Sequence, residues 1–301
     1  MTAARSPFHH ALAVPALLFG AAPACLEAAA LLPVSTYVWD EDKPGFGGFS
    51  GLAMDDNGAG FLAVSDNGWM YRAEISRDAQ GRIASVASAW YSRLLKNPGE
   101  PADDAFSQDA EALAIGHDGT IYVGYESLTR IVSVTLPELT PTWLHRWDRF
   151  KAYWGNESIE GLTEQPGGGL LAVLEVPNTR GGYATLVQTA DDWTEGPIIP
   201  GAGDYAASDA AFGPDDKLYI LERRTTLFGR FATRVRRFGW DRHGVTDAGE
   251  VLLETQPGTL DNMEGLSFWH RADGRTMVTL ISDDNFMLLQ TTMLADYELA
   301  E

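Results

Sequence analysis

The feature that most constrains the fold of this chain is a short phrase that occurs five times. Each copy is a run of six mostly apolar residues with an acid or a hydroxyl near its start, and the copies begin at Phe49, Ala110, Ile159, Asp209 and Met263. The copies recur about every 50 to 60 residues, close to the roughly 40 to 50 residues of a four-stranded propeller blade. A turn and a second apolar run follow every copy, which is the pattern of a β-hairpin.

Five such units predict an all-β protein, a β-propeller of five four-stranded antiparallel blades. The fifth unit lacks a strand before the chain reaches Glu301, and the segment LPVSTYVW that begins at Leu32 can supply it and close the ring. A β-sandwich is the competing fold, since it also has regularly spaced turns. Near-constant spacing favours the propeller. Residues 96–107, rich in Pro and acids, are expected to form a loop inserted in the first unit.

Composition supports the same fold class and limits the partners. The chain has 31 Gly, 15 Pro, 9 Trp, 10 Tyr and 13 Phe among 301 residues, a composition that favours short strands and turns. Lys and Arg number 22 against 42 Asp and Glu, so the formal net charge is -20. This charge argues against nucleic acid and anionic membrane as partners. We expect a monomer that acts on a small molecule or binds a cation.

The first 30 residues resemble a secretory signal peptide, which leaves residues 31–301 as one domain. Basic residues precede an apolar run over residues 11–22, which is shorter than the roughly 20 residues of a membrane span. Cleavage after Ala30 would remove the single cysteine, Cys25. Cleavage after Ala24 would instead make Cys25 the first residue, as in a lipoprotein. The sequence therefore predicts an exported protein, periplasmic or secreted, without an integral membrane span.

Acidic residues occur at matching places in successive hairpins. Residues equidistant from a hairpin turn face each other across the ladder, so an acid that opens the first strand should meet an acid that closes the second. The pairs predicted in this way are Glu111 with Glu126, Glu160 with Glu175, Asp209 with Glu222, and Glu264 with Asp283. In the first unit Ser50 takes the first place and only Asp66 is acidic. All nine acids are candidate metal ligands.

The first strand of each propeller blade lines the central channel, so these pairs should converge on one mouth of that channel. Carboxylates crowded into one cavity raise one another's pKa values unless a cation neutralises them. Oxygen ligands without His or Cys favour Ca²⁺, with Mg²⁺ as the alternative. The competing interpretation is that the acids are solvated at strand ends and only add solubility. Scattered surface charge, however, has no reason to follow hairpin symmetry.

Two arginines are candidate substrate-binding residues in this acidic chain. Arg223 directly follows Glu222, at the same hairpin end as the acids, and Arg130 lies four residues after Glu126. The guanidinium group matches the oxygens of a phosphate or carboxylate. The nearby segment RVRRF is expected to be a solvent-facing strand.

Several longer phrases together resemble the phytase-like family, known as esterase-like activity of phytase. They are GGFSGLAMDDNGAGFLAVSDNG, DAEALAI, NESIEGLTEQPGGGLLAVLE, SDAAFGPDDKLYILERR and NMEGLSF with LISDDNF. The resemblance covers nearly all of the chain after residue 30. It implies an exported propeller with many acids and metal-dependent hydrolysis of phosphoesters. The better-known β-propeller phytases have six blades and depend on calcium, so six blades are the alternative to five.

The sequence thus predicts an exported, metal-dependent phosphoric ester hydrolase acting on a small phosphoester or another anionic ester. Glu111, Glu160 and Glu264 are the candidate catalytic carboxylates, and a bound cation would activate water and polarise the phosphoryl oxygens. One alternative is a propeller without catalytic activity that binds a structural cation or a cationic ligand. Another is a metal-dependent lactonase.

Overall fold

The computed structural model of the chain describes residue 1 and residues 29–154, 158–177, 181–190, 192–227 and 229–301. Cys25 and nearly all of the predicted signal segment, residues 1–30, lie outside the described residues. The described residues form an all-β structure whose one helix is a single 3-10 turn, Lys151–Tyr153. None of them forms a helix long and apolar enough to cross a bilayer.

Twenty-five strands make up the described fold, and most of them belong to five antiparallel sheets. The chain begins with β1 (Ala30–Val38). The first blade contains β2 (Phe49–Met54), β3 (Gly60–Ser65), β4 (Trp69–Arg77) and β5 (Ile83–Arg93). A hairpin of β6 (Leu95–Asn97) and β7 (Glu100–Pro101) follows, within the predicted loop. The second blade contains β8 (Ala110–Ile115), β9 (Ile121–Tyr125), β10 (Arg130–Thr135) and β11 (Thr140–Trp143).

The remaining three blades repeat this order. The third contains β12 (Ile159–Glu164), β13 (Leu170–Pro177), β14 (Gly182–Gln188), β15 (Trp193–Glu195) and the short β16 (Ile199–Pro200). The fourth contains β17 (Ala206–Phe212), β18 (Leu218–Thr225), β19 (Phe231–Phe238) and β22 (Glu250–Glu254), with a small hairpin of β20 (Trp240–Asp241) and β21 (Gly244–Val245). The fifth contains β23 (Asn262–His270), β24 (Thr276–Asp283), β25 (Met293–Ala300) and β1. The predicted five-bladed propeller is confirmed.

The two ends of the described chain meet in the fifth blade, as predicted. Strand β1 pairs antiparallel with β25, and Val38 lies opposite Met293. The innermost strands contact one another in the cyclic order β2, β8, β12, β17, β23 and back to β2. The ring is therefore closed by hydrogen bonds between strands from opposite ends of the sequence.

Convergence of the inner strands explains why small residues recur in the repeated phrase. A Cβ atom on Gly51 would lie 2.8 Å from Leu113 of the next blade, and one on Gly265 would lie 2.8 Å from Leu52. The residue after this small residue is a leucine in four of the blades, and it fills the space between blades. These leucines, Leu52, Leu113, Leu162 and Leu266, are all buried. The core consequently lies in layers between neighbouring blades.

Because β1 closes the ring, its buried face should matter for stability. Leu31 is buried against residues of the fourth and fifth blades, whereas Leu32 is 48% exposed. We expect Leu31→Ala to lower the free energy of unfolding by about 2–4 kcal/mol, because it leaves a cavity at the closure. Leu32→Ala is the matched control and should change it by less than about 0.5 kcal/mol. Urea unfolding curves measure both, and equal effects would contradict this role of β1.

Candidate functional site

The first strand of every blade has a β-bulge at the same place. In each of these strands one residue is left out of the pairing with the second strand, and the residues are Ser50, Glu111, Glu160, Ser208 and Glu264. A bulge redirects the side chain of the extra residue and bends the strand. The bulges therefore bring three carboxylates towards the channel axis from three different blades.

A second set of residues follows from the same register, one at the end of each second strand. Each lies next to the bulge of its own blade, and the set is Asp66, Glu126, Glu175, Arg223 and Asp283. Backbone N–H groups of Asp66, Glu126 and Glu175 donate to carbonyls just before the first strand, which extends each hairpin by one bond. The predicted acids of the second, third and fifth blades therefore lie at the same hairpin end, but they are not ladder partners: Asp283, for example, pairs with Asn262 and not with Glu264.

All members of these two sets except Ser208 line one cavity at a mouth of the central channel, with a volume of about 250 Å³. Its lining comprises Ser50, Asp66, Glu111, Glu126, Glu160, Glu175, Arg223, Glu264, Asp283 and Asn285. Seven of these are carboxylates and one is a guanidinium. Seven of the nine predicted acids therefore meet, as does the predicted Arg223.

The prediction that Asp209 is a metal ligand at the channel mouth is wrong. In the fourth blade the bulge comes one residue earlier than the alignment of the repeated phrases indicates. Ser208, not Asp209, is the bulged residue. Asp209 occupies the place of Gly161 and Gly265, faces the next blade and is fully buried there. Its Oδ1 accepts a hydrogen bond from Ala210 N at 2.7 Å, and its Oδ2 accepts one from Leu266 N at 2.6 Å. Asp209 joins the fourth blade to the fifth and does not line the cavity.

The prediction for Glu222 fails for the same reason. Glu222 points between the third and fourth blades and is completely buried. Its carboxylate accepts hydrogen bonds from Arg234 Nε at 2.6 Å, Arg236 Nη2 at 2.6 Å and the Tyr183 hydroxyl at 2.8 Å. Arg234 and Arg236 belong to the RVRRF segment, which is buried and not solvent-facing. Arg234 and Arg236 are therefore partners of one buried acid inside the core.

Arg130 is also misassigned as a substrate-binding residue. Its guanidinium lies 3.5 Å from the ring centroid of Tyr125 and donates to the carbonyls of Ser107 and Leu128. Only 1% of the residue is exposed, and it does not line the cavity. Arg130 stabilises the connection that enters the second blade.

Arg223 takes the place in the fourth blade that a carboxylate holds in the other four. Its Nη2 donates to Glu175 Oε1 at 3.0 Å, and its Nη1 donates to Glu264 Oε1 and, at 3.2 Å, to Asn262 Oδ1. These carboxylates raise the pKa of Arg223 despite its burial. One guanidinium thus neutralises the side of the cavity formed by the third and fifth blades.

Burial and like charge raise the pKa values of the cavity acids. Burial and the charges of Glu264 and Asp109 raise the pKa of Asp66 to about 7. Burial and Glu264 raise the pKa of Asp283 to about 8. Burial and neighbouring carboxylates also hold the pKa of Glu111 well above its usual value. For Glu160 burial raises the pKa and Arg223 opposes this effect. Without a cation the cavity therefore retains protons near neutral pH.

Two groups of three carboxylates are close enough to share an ion. In each group, one oxygen per residue lies within 4.8 Å of the others, and the groups are Asp109, Glu111 and Glu126, and Glu126, Glu160 and Glu175. Such spacing suits Ca²⁺, whose oxygen ligands lie at about 2.3–2.6 Å. Asp66 Oδ1 is buried and finds no hydrogen-bond donor among the described residues. Carboxylate oxygens that lack donors are stabilised by a proton or a cation, so these residues fit an oxygen-bound cation.

Sequence reasoning missed Asp109 and Asn262. Both lie two residues before the bulge, where the other blades have Gly48, Ser158 and Ala206. Asp109 accepts hydrogen bonds from Ser127 N and the Ser127 hydroxyl. Asn262 Nδ2 donates to Glu264 Oε1 at 2.6 Å. Because this place in the repeat holds a different residue in each blade, periodicity gave no signal for either one.

Comparison with known proteins places this chain in context. A family model described as phytase-like, esterase-like activity of phytase, matches residues 44–286. No curated protein sequence matches the chain.

Among solved structures, the α-L-arabinofuranosidase PaAbf62A from Podospora anserina in complex with cellotriose has 10% identity and a TM-score of 0.50, covering 91% of this chain and 96% of that one. Virginiamycin B lyase from Staphylococcus aureus has 12% identity and a TM-score of 0.43, covering 88% and 99%. A gluconolactonase from Xanthomonas campestris has 10% identity and a TM-score of 0.45, covering 84% and 72%. At such low identity these likenesses concern the fold alone.

The raised pKa values predict that the metal-free protein loses stability as the pH rises. The unfolded acids titrate near pH 4, whereas Asp66 and Asp283 titrate at about 7 and 8 in the folded chain. The folded state binds more protons across this window, so the free energy of unfolding falls between about pH 4 and pH 8. We expect a loss of several kcal/mol, since a tenfold change in proton affinity corresponds to about 1.4 kcal/mol.

Urea unfolding in metal-free buffer at pH 5, 7 and 9 measures this dependence. Asp66→Asn removes one of the titrating groups and should flatten the curve. Stability that increases from pH 5 to pH 9 would contradict the crowding of these acids.

Proposed function

The chain belongs to the phytase-like family, and from that premise we propose that it is a metal-dependent phosphoric ester hydrolase. One observation supports this most directly: two groups of three carboxylates share Glu126, and all of their members except Asp109 line a cavity that also contains a guanidinium. Oxygen ligands and one arginine form a site suited to a cation and a phosphate together.

The chain's own residues have distinct parts in this proposal. Asp109, Glu111 and Glu126 would hold a cation on the side of the second blade, and Glu160 and Glu175 would extend the ligand set into the third. Bound Ca²⁺, or alternatively Mg²⁺, supplies positive charge that activates a water molecule and polarises a phosphoryl oxygen. Glu111 and Glu160 would orient the attacking water by accepting its hydrogen bonds.

Asp66 is the residue that we propose to accept a proton. It belongs to neither group of three, its Oδ1 has no donor among the described residues, and its pKa is about 7. A carboxyl group that titrates near the working pH is effective as a general base. Burial, together with the charges of Glu264 and Asp109, keeps the pKa of Asp66 high.

Arg223 is the residue that we propose to bind the phosphate. Its side chain is 22% exposed to the cavity and carries donors in a planar fork. Its present partners, Glu175 and Glu264, hold that fork in place on the side opposite to Asp109 and Glu111. A phosphoryl group between the two sides would meet the cation on one and the guanidinium on the other.

The volume of the cavity limits what enters it. About 250 Å³ accommodates a phosphoryl group with an ion and water, and is below the roughly 300–1,000 Å³ of pockets that enclose a whole drug-sized ligand. The remainder of the substrate therefore lies outside the mouth. This arrangement favours substrates with a terminal, exposed phosphoester.

The first functional test is the release of phosphate from a panel of phosphoesters with and without Ca²⁺. We expect turnover only with the ion, and we expect Glu126→Gln to weaken Ca²⁺ binding by more than the roughly 10–100-fold caused by loss of an outer-shell partner. Glu164→Gln is the matched control, because Glu164 lies at the other end of β12 and pairs with His117. Asp66→Asn should lower kcat with a much smaller effect on Ca²⁺ affinity.

The result of this panel also separates the alternatives. A Ca²⁺-dependent rise in melting temperature without turnover of any ester would favour a binding propeller over an enzyme. Turnover confined to lactones would favour a lactonase. If the protein neither binds Ca²⁺ nor turns over any ester, the proposal is overturned altogether.

Substitution of Arg223 should affect substrate binding more than the chemical step. We expect Arg223→Met to raise KM for a phosphoester by roughly 10–100-fold, the effect of losing a hydrogen bond to a charged group. The same change should lower the melting temperature of the metal-free protein, because Glu175 and Glu264 lose their cation. Arg223→Lys should recover part of both losses. Unchanged KM with a large fall in kcat would contradict the proposed role.

We further propose that the protein is exported and that cleavage follows Ala30. Strand β1 then retains Leu31 to Val38 and can still close the ring. Mass spectrometry of the protein from its native host should show a mature chain that begins at Leu31. A lipidated chain that begins at Cys25 would support the lipoprotein alternative, and an uncleaved chain would contradict export by this route.

A further inference from the structure

The connection between β24 and β25 exposes four consecutive apolar side chains. They are Phe286, Met287, Leu288 and Leu289, and the two leucines are 99% and 95% exposed. Asn285, the residue before them, lines the acidic cavity. Monomeric proteins rarely leave such a run exposed to water without an interaction for it to make.

Other strongly exposed apolar residues lie at the same end of the propeller. In each blade the cavity residues are at the start of the first strand and the end of the second, so connections from second to third strands, and from one blade to the next, belong to the cavity face. Leu227 lies in the β18–β19 connection, Phe106 in the connection between the first and second blades, and Trp147 in the one between the second and third. Their exposed fractions are 102%, 64% and 60%.

The distribution is one-sided across the described residues. Apart from Met1, every described large apolar residue that is more than half exposed is at the cavity end, including Val38 at the end of β1. At the opposite face the most exposed are Ile115 at the end of β8, at 43%, and Leu136 in a turn, at 41%. The apolar residues thus form a broken ring of loop tips around an acidic centre.

We propose that this face docks on a zwitterionic lipid surface, with the loop Phe286 to Leu289 inserted among the acyl chains. Apolar tips on separate loops suit an interface where a polar layer covers an apolar interior. The positively charged ammonium groups of zwitterionic lipids can meet the carboxylates at the cavity mouth.

A second copy of the chain fits this face less well. Two copies docked face to face would place two cavities of seven carboxylates opposite each other, which like-charge repulsion opposes. The net charge of -20 also disfavours strongly anionic lipid surfaces. A zwitterionic lipid surface therefore offers acyl chains to the apolar loop tips and positively charged head groups to the carboxylates of the cavity.

Co-flotation with phosphatidylcholine vesicles at physiological salt tests the proposal. We expect the wild-type protein to float with the vesicles and the double variant Leu288→Ser/Leu289→Ser to lose about tenfold or more of its partitioning, since two large apolar side chains no longer insert. Leu227→Ser, in a different connection, should cause a smaller loss. Val251→Ser is the matched control, because Val251 is 47% exposed on the outer strand β22, away from the loop tips.

The outcomes are distinct from those of the hydrolase assay, because flotation requires no turnover. The double variant should hydrolyse a soluble phosphoester as the wild type does, if the hydrolase proposal is correct. Absence of wild-type flotation, or equal flotation of wild type and double variant, would overturn docking on lipid. Binding confined to phosphatidylglycerol vesicles would overturn the zwitterionic preference. A dimer in sedimentation that the double variant abolishes, without vesicle binding, would instead identify a second copy as the partner.

Discussion

Repulsion among carboxylates at the propeller axis is the constraint on which the rest of this structure depends. Five inner strands converge closely enough that a Cβ on Gly51 would contact the next blade, and each strand has a bulge at the same height. Whatever side chain stands at a bulge is therefore brought near its equivalents from the other blades. Where these are acids, the fold must supply protons, a guanidinium or a bound cation to remain stable.

The fourth blade breaks the symmetry of this ring and gives the cavity two different sides. Ser208 and Arg223 stand where the second, third and fifth blades have two acids, and Arg223 joins Glu175 to Glu264. The one guanidinium that lines the cavity is thereby placed on one side, while Asp109, Glu111 and Glu126 remain clustered on the other. A perfectly repeated ring would offer no such distinction between a place for a cation and a place for an anion.

The repeat made the architecture and most of the cavity predictable, because hairpin symmetry and strand order follow from local pattern. The prediction from the repeat failed in the fourth unit, where the strand is shifted by one residue relative to the other units. In the fourth unit Asp209 resembled the acids of the other phrases, yet side chains alternate along a strand, and a shift of one residue turned Asp209 towards the next blade. The same offset turned Glu222 away from the cavity. Arg130 was misplaced because its burial depends on Tyr125, which no periodicity connects to it. Only the second blade has an acid at the place of Asp109, so the repeat gave no indication of this residue.

The pairing of β1 with β25 has a consequence for how the ring is assembled. During synthesis β1 leaves the ribosome first, and its partner β25 follows more than 250 residues later. Blades one to four can each form from neighbouring segments, but the edge of β1 stays open until β25 arrives. Contacts so distant in sequence slow folding, because a long loop must close before they form. Premature termination before β25 would consequently leave an open ring with an exposed strand edge, a form prone to aggregation.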